Sequence, residues 1–189
     1  MKPAAIILLC TLAAITYGVL HDQVTARLCI EYFTIGHPPI FGTENPTLLG
    51  LGWGIIATWW VGAGLGIGLA IAARAGRHPK AEPRALVRPL LLLLAMTAAL
   101  AAASGLLGHI AATNRWIILV PRLADRIPED RHVRFLAVGT AHTVSYAAGA
   151  LGGLMLIVRT WRGRRPRAPR PGPATPTPHP DGSPDHVLE

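Results

Sequence analysis

Three histidines, two acids and two tyrosines carry most of the chemistry this sequence can offer. His21 and Asp22 adjoin each other in the stretch Tyr17-Gly18-Val19-Leu20-His21-Asp22-Gln23-Val24-Thr25, and Glu31-Tyr32-Phe33-Thr34 follows shortly after. His109 and His142 come much later, with Ser145 and Tyr146 three and four residues beyond His142. Neutral imidazoles and carboxylates together suit iron, zinc or copper. The same groups set against hydrocarbon also suit proton transfer, because ionisable side chains there are costly and tend to mark function. The expected site therefore takes His21, Asp22, Glu31, His109 and His142 as metal ligands or proton carriers. Tyr32 and Tyr146 would support it by hydrogen bonding.

Each of these residues also has a plainer explanation. A histidine suits the negative end of a helix, but an aspartate there does not. Asp22 thus wants a cation, a metal or a histidine whose tautomer it holds. The simplest partner for Glu31 is Arg27, one helical turn earlier. Tyr32 and Phe33 suit an interfacial aromatic belt, and His37, beside Pro38 and Pro39, reads as a loop residue. No HExxH motif is present, so no cofactor is named by spacing. A transition metal is the leading idea. A b-type haem on His109 and His142 fits less well, because bundle haems need both ligands at matching depth.

The elements that would position these residues are unusually apolar. Hydrophobic residues make up 51% of the 189 and charged residues only 15%, where soluble domains carry about 25% charged. Four apolar runs, roughly 3–20, 47–73, 89–113 and 135–158, approach or exceed the ~20 residues that a bilayer-spanning helix needs. In lipid the backbone must satisfy itself, so these runs are helices. The expected fold is an all-α integral membrane four-helix bundle over 1–158. A basic and then Pro-rich tail, 159–189, is expected to be disordered and cytoplasmic. His21, Asp22, His109 and His142 would then share the outer third of the bilayer, His142 lying roughly 12 Å in.

Charge sets the orientation. With the N-terminus inside, twelve Lys and Arg lie on the cytoplasmic side and six outside. By the positive-inside rule both termini are cytoplasmic. The net charge of +8 is scattered beside apolar runs, so the lipid bilayer is the expected partner and nucleic acid is not. Thr16-Tyr17-Gly18 is only a loose fit to a signal-peptide cleavage site, so an uncleaved anchor helix is expected. Cys10 and Cys29 would have to join mid-bilayer to its surface, a poor disulfide geometry.

Between the first two runs, the Gly- and Pro-rich segment 35–46 precludes a long helix. Asn45-Pro46 reads as an N-cap and first helical position. The second run repeats Gly50-xxx-Gly54, Gly62-xxx-Gly66 and Gly64-xxx-Gly68, surfaces where another helix can approach closely. They would serve a membrane-protein partner or a homo-oligomer as well as helices of the same chain. Trp59 and Trp60, near mid-bilayer, are expected to face protein or a cavity, packed opposite glycines.

The run Tyr17 to Thr25 with Glu31-Tyr32-Phe33-Thr34, together with Trp59-Trp60-Val61-Gly62 and Ala141-His142-Thr143-Val144-Ser145-Tyr146, resembles an uncharacterised family of small bacterial multi-pass inner-membrane proteins. The likeness covers roughly 1–158 and leaves out the tail. It implies a bacterial inner-membrane location and supports the choice of site residues. It brings no activity with it. Three function classes follow: a periplasmic-side metal or proton-transfer site, a non-catalytic subunit whose polar residues only join helices, and a small-solute carrier acting as an oligomer.

Overall fold

A computed structural model describes residues 3–164. It is helical throughout its regular structure, with no strand among the described residues. Four helices, α1 (Pro3–Leu28), α3 (Pro46–Arg74), α4 (Pro83–Thr113) and α6 (His132–Gly163), dominate the chain. Two short ones, α2 (Glu31–Thr34) and α5 (Pro121–Ala124), and a 3₁₀ turn (Glu129–Arg131) lie in the connections. All four long helices are long and apolar enough to cross a membrane. Their apolar side chains point largely outward: Leu8, Leu12, Leu92, Met96, Leu107, Leu151 and Met155 are all more than half exposed. A protein folded for water would hide these residues. One folded for hydrocarbon need not.

The boundaries follow local chemistry. Asn45 caps α3 as expected, its side chain accepting from the amides of Thr47 (2.9 Å) and Leu48 (3.2 Å), with Pro46 as the first helical residue. Helix α1 runs eight residues beyond the expected end at Leu20. Nothing in 21–28 breaks a helix, and the polar side chains fold back onto it. Thr25 Oγ1 donates to the carbonyl of His21 (3.1 Å), and Arg27 donates to the carbonyl and side chain of Gln23. Helix α4 begins six residues earlier than hydropathy indicated, because Pro83 opens it and the charged first turns sit beyond the apolar run.

The helices pack as two close antiparallel pairs, α1 with α3 and α4 with α6, which meet mainly along α3 and α6. Glycines build the first seam. A Cβ at Gly62 would lie 2.7 Å from the Cys10 carbonyl oxygen, and one at Gly66 would lie 2.7 Å from Ile7 Cα. Gly50, Gly54, Gly62 and Gly66 therefore serve contact within this chain. Trp59 and Trp60 differ from expectation: they are 51% and 59% exposed. The glycines occupy the face toward α1, so the indoles are carried to the outer face.

Two clusters close the ends. Ile6, Leu69, Ala73, Leu86, Leu90 and Leu156 join the end bearing Pro3, Arg74, Pro83 and Gly163, termed basal below. Cys29, Leu119, Ile127, Phe135 and Val138 join the opposite, apical end. Helix α6 continues five residues past the expected limit of 158, and the buried Arg164 follows it. The expected basic tail thus starts as structured chain, while 165–189 lies outside the described residues.

Arg164 donates to four carbonyls at the end of α3 and just beyond it: Ala72 (2.5 Å), Pro79 (2.7 Å), Ala75 (2.9 Å) and His78 (3.1 Å). Hydrogen bonds from a charged donor are worth about 1.5–3 kcal/mol each, and buried acceptors left open add to the loss. Arg164→Ala is expected to destabilise the basal end by about 3 kcal/mol. A drop in the detergent melting temperature checks this, and an unchanged melting temperature would contradict it.

Candidate functional site

The apical half of α1 and α6 brings three of the expected residues together. Because α1 continues past Leu20, Asp22 stands within the helix rather than at its end, and it is buried against α3. A Cβ at Gly50 would lie 2.9 Å from the Asp22 carbonyl oxygen. Residues 17, 21 and 25 fall one turn apart on one helix face. That face meets α6 at His142 and Ser145.

His142 is 4% exposed and Asp22 5%. His142 Nε2 lies 3.2 Å from Thr25 Oγ1 and 3.9 Å from Asp22 Oδ1. Thr25 already gives its hydroxyl proton to the His21 carbonyl, so it accepts from His142, which then carries its proton on Nε2. The His21 ring meets the His142 ring edge-on, with centroids 4.5 Å apart and planes at 75°. Tyr32 stacks on the other side of His142 at 4.6 Å and 27°. The Tyr17 hydroxyl and Ser145 Oγ share a hydrogen bond of 2.8 Å. Packed from both sides, the His142 imidazole has one orientation.

One ligand atom from each of His21, Asp22 and His142 lies within 4.8 Å of the others. Metal–ligand bonds of about 2.1 Å place donor atoms roughly 3–3.5 Å apart, so these side chains would close by about an ångström around a cation. His21 Nε2 is buried and has no hydrogen-bond partner. Buried polar atoms are rarely left this way without an ion, water or ligand to meet them. The donor set, two imidazoles and a carboxylate with open positions, suits iron(II) or zinc.

The other expected residues stand elsewhere. Glu31 accepts from Cys29 Sγ (3.3 Å) and pairs with Arg131 (3.5 Å), not with Arg27, which turns to Gln23 and Thr47. Burial and the neighbouring Glu31 push the Cys29 thiol up to about 11. His109 is exposed on α4 and lines a second cleft, whose wall also includes His21. Neither Glu31 nor His109 joins the three-residue group. Tyr32 is a packing partner of His142 more than a belt residue, and burial lifts its phenol to about 12, with Tyr146 and Asp22 adding to the effect. Tyr146 stands at the edge, its ring centroid 6.3 Å from His142.

Two residues were not singled out in the sequence. Thr25 holds His142, and Tyr17 holds Ser145. The signal was there in the four-residue spacing of 17, 21 and 25, but only once α1 is known to extend to Leu28. His37 is also more than a loop residue: its Nδ1 lies 2.8 Å from the Tyr32 carbonyl oxygen, and its ring packs on Phe33 and Trp53.

Comparison with protein-family models, with curated proteins and with solved structures finds no match for this chain. The site has to be argued from its own chemistry.

Proposed function

We propose that this chain is a multi-pass protein of the bacterial inner membrane that holds a transition-metal site between its helices. The helices form a four-helix bundle with both termini in the cytoplasm, so the site faces the periplasmic half. His21, Asp22 and His142 are the ligands. Tyr32, stacked on the His142 ring, would fix its plane, and the Thr25 hydroxyl, which bonds Nε2 here, would give that nitrogen up to a metal bound there. Glu31 and His109 are not part of this ligand set.

One observation carries the reading: ligand atoms of three residues from two helices converge within 4.8 Å, and one of those residues, His21, has a buried ring nitrogen, Nε2, with no partner. A purely structural polar contact would be expected to satisfy every buried member. Protons compete with a metal for the two imidazoles and the Asp22 carboxylate, so binding weakens as pH falls. The 3.9 Å approach of His142 to Asp22 favours proton transfer as the second reading, with the same residues as relay.

Elemental analysis of the detergent-purified protein tests the proposal. About one transition-metal ion per chain is expected, as purified or after titration with Fe(II), Zn(II) or Co(II). A protein that takes up none at stoichiometric level rejects the metal site and leaves the proton relay.

A further inference from the structure

The three-residue group stands at one end of a cleft of about 310 Å³ between the long helices. Its walls are overwhelmingly apolar, and no Lys or Arg lines it. On the rim, Gly64 and Leu154 are exposed, and Tyr146 is 49% exposed. The opening therefore lies at membrane depth on the outer surface of the helices.

Among the described residues, two buried side-chain polar atoms lack a partner, His21 Nε2 and Thr97 Oγ1. Both residues line this cleft. Thr97 is 3% exposed. A helical threonine ordinarily returns its hydroxyl to the carbonyl one turn back, as Thr11, Thr113 and Thr160 do here. Thr97 does not. Two other polar pairs of the wall are engaged: Tyr17 with Ser145, and Thr58 with the Gly54 carbonyl.

The two unpartnered atoms stand at different depths. Leu93 meets Gly152, and Ser104 meets Thr140. Tyr17 with Ser145 and Thr25 with His142 set α1 against α6 in turn, so Thr97 stands about one turn basal to His21, roughly 6 Å along the axis, and on a different helix. A six-membered ring with oxygens on opposite edges, plus two hydrogen bonds of ordinary length, spans about 11 Å. An anionic head would find no cation in the wall and a carboxylate at the end. An uncharged ring with two oxygens and an apolar tail meets every condition.

We infer that the cleft between the Thr97 hydroxyl and the His21–His142 end binds a membrane-soluble quinone or quinol, one ring oxygen at each end. This rests on the site proposed above and names its ligand class. Thr97 takes one oxygen by hydrogen bond. The other reaches His21 Nε2, or the open position of a metal held there. The tail leaves through the opening into lipid.

The test uses the full chain in lipid nanodiscs, with a decyl-substituted benzoquinone as probe and decylbenzene as the hydrocarbon control. Saturable binding near one per chain is expected for the quinone and not for decylbenzene. Thr97→Val, nearly isosteric, is expected to weaken quinone binding about tenfold, the worth of one buried hydrogen bond. Thr97→Ser should stay close to wild type. Equal binding of quinone and decylbenzene, absence of saturable quinone binding, or equal affinity in Thr97→Val and wild type overturns the inference. Metal content measured on the same samples separates the two claims. Threonine-dependent quinone binding by metal-free protein supports this inference and sinks the metal site. Stoichiometric metal without such binding does the reverse.

Discussion

Replacing His142 with Gln is expected to remove stoichiometric metal from the protein and leave its helices in place. Glutamine is close to histidine in length and its amide can still meet Thr25 Oγ1, which now bonds His142 Nε2 at 3.2 Å. What it cannot supply is an imidazole nitrogen. Loss of outer hydrogen-bond partners alone weakens metal sites about 10–100-fold. Losing one of the three proposed ligands should therefore weaken metal binding by at least about 100-fold. Competition against a chelator of known affinity measures the loss, and far-ultraviolet circular dichroism reports whether the helices persist. Affinity within about threefold of wild type in a folded His142→Gln protein would remove His142 from the ligand set. Because the ring is also gripped by Tyr32, some thermal destabilisation is expected alongside, and the metal readout stands apart from it.

The largest structural effect is expected at Gly54. A Cβ there would lie 2.6 Å from the backbone N and Cα of Val19 and 2.8 Å from the carbonyl carbon of Gly18. These are main-chain atoms, which cannot rotate aside, so Gly54→Val must push α1 away from α3. Overpacking typically costs about 1–3 kcal/mol, and a rigid backbone-to-backbone approach belongs at or above the top of that range. The neighbouring glycines of the seam lose their contact together with it. Asp22 is held against Gly50 on the same seam, so the polar site should be disturbed as well. Gly64→Val is the matched control, since nothing lies within 4 Å of a Cβ at Gly64. Melting in detergent should fall sharply for Gly54→Val and stay near wild type for Gly64→Val. Equal melting of the two variants would show that the seam is not closely packed.

The contrast between these glycines shows where sequence reasoning stopped. Both belong to small-xxx-small patterns in one helix, and no feature of the sequence ranks one above the other. Gly54 meets α1 and Gly64 meets nothing of this chain. The same limit applies to Trp59 and Trp60. Their depth was legible, yet their exposure followed from which face of α3 the glycines turned toward α1.

The histidines divide along that line too. His21, Asp22 and His142 stood out as costly polar groups in apolar surroundings, and the structure gathers them. His109 met the same criteria and is exposed on α4, lining the second cleft. Depth can be counted at 1.5 Å per residue. Direction around the axis cannot, because these helices are apolar on every side and offer no polar stripe to mark an outer face.

By itself, then, the sequence determined four helices of membrane length, the Asn45 cap and the set of residues from which a site could be built. Hydropathy and backbone hydrogen bonding act locally, and local information is what a sequence holds openly. Tertiary structure decided the rest. It brought Thr25 against His142, sent Glu31 to Arg131, left His21 Nε2 and Thr97 Oγ1 without partners on residues that line one cleft, and gave Arg164 four carbonyls at the basal end. Each depends on the rotation of one helix against another, set by close packing between residues far apart in the chain.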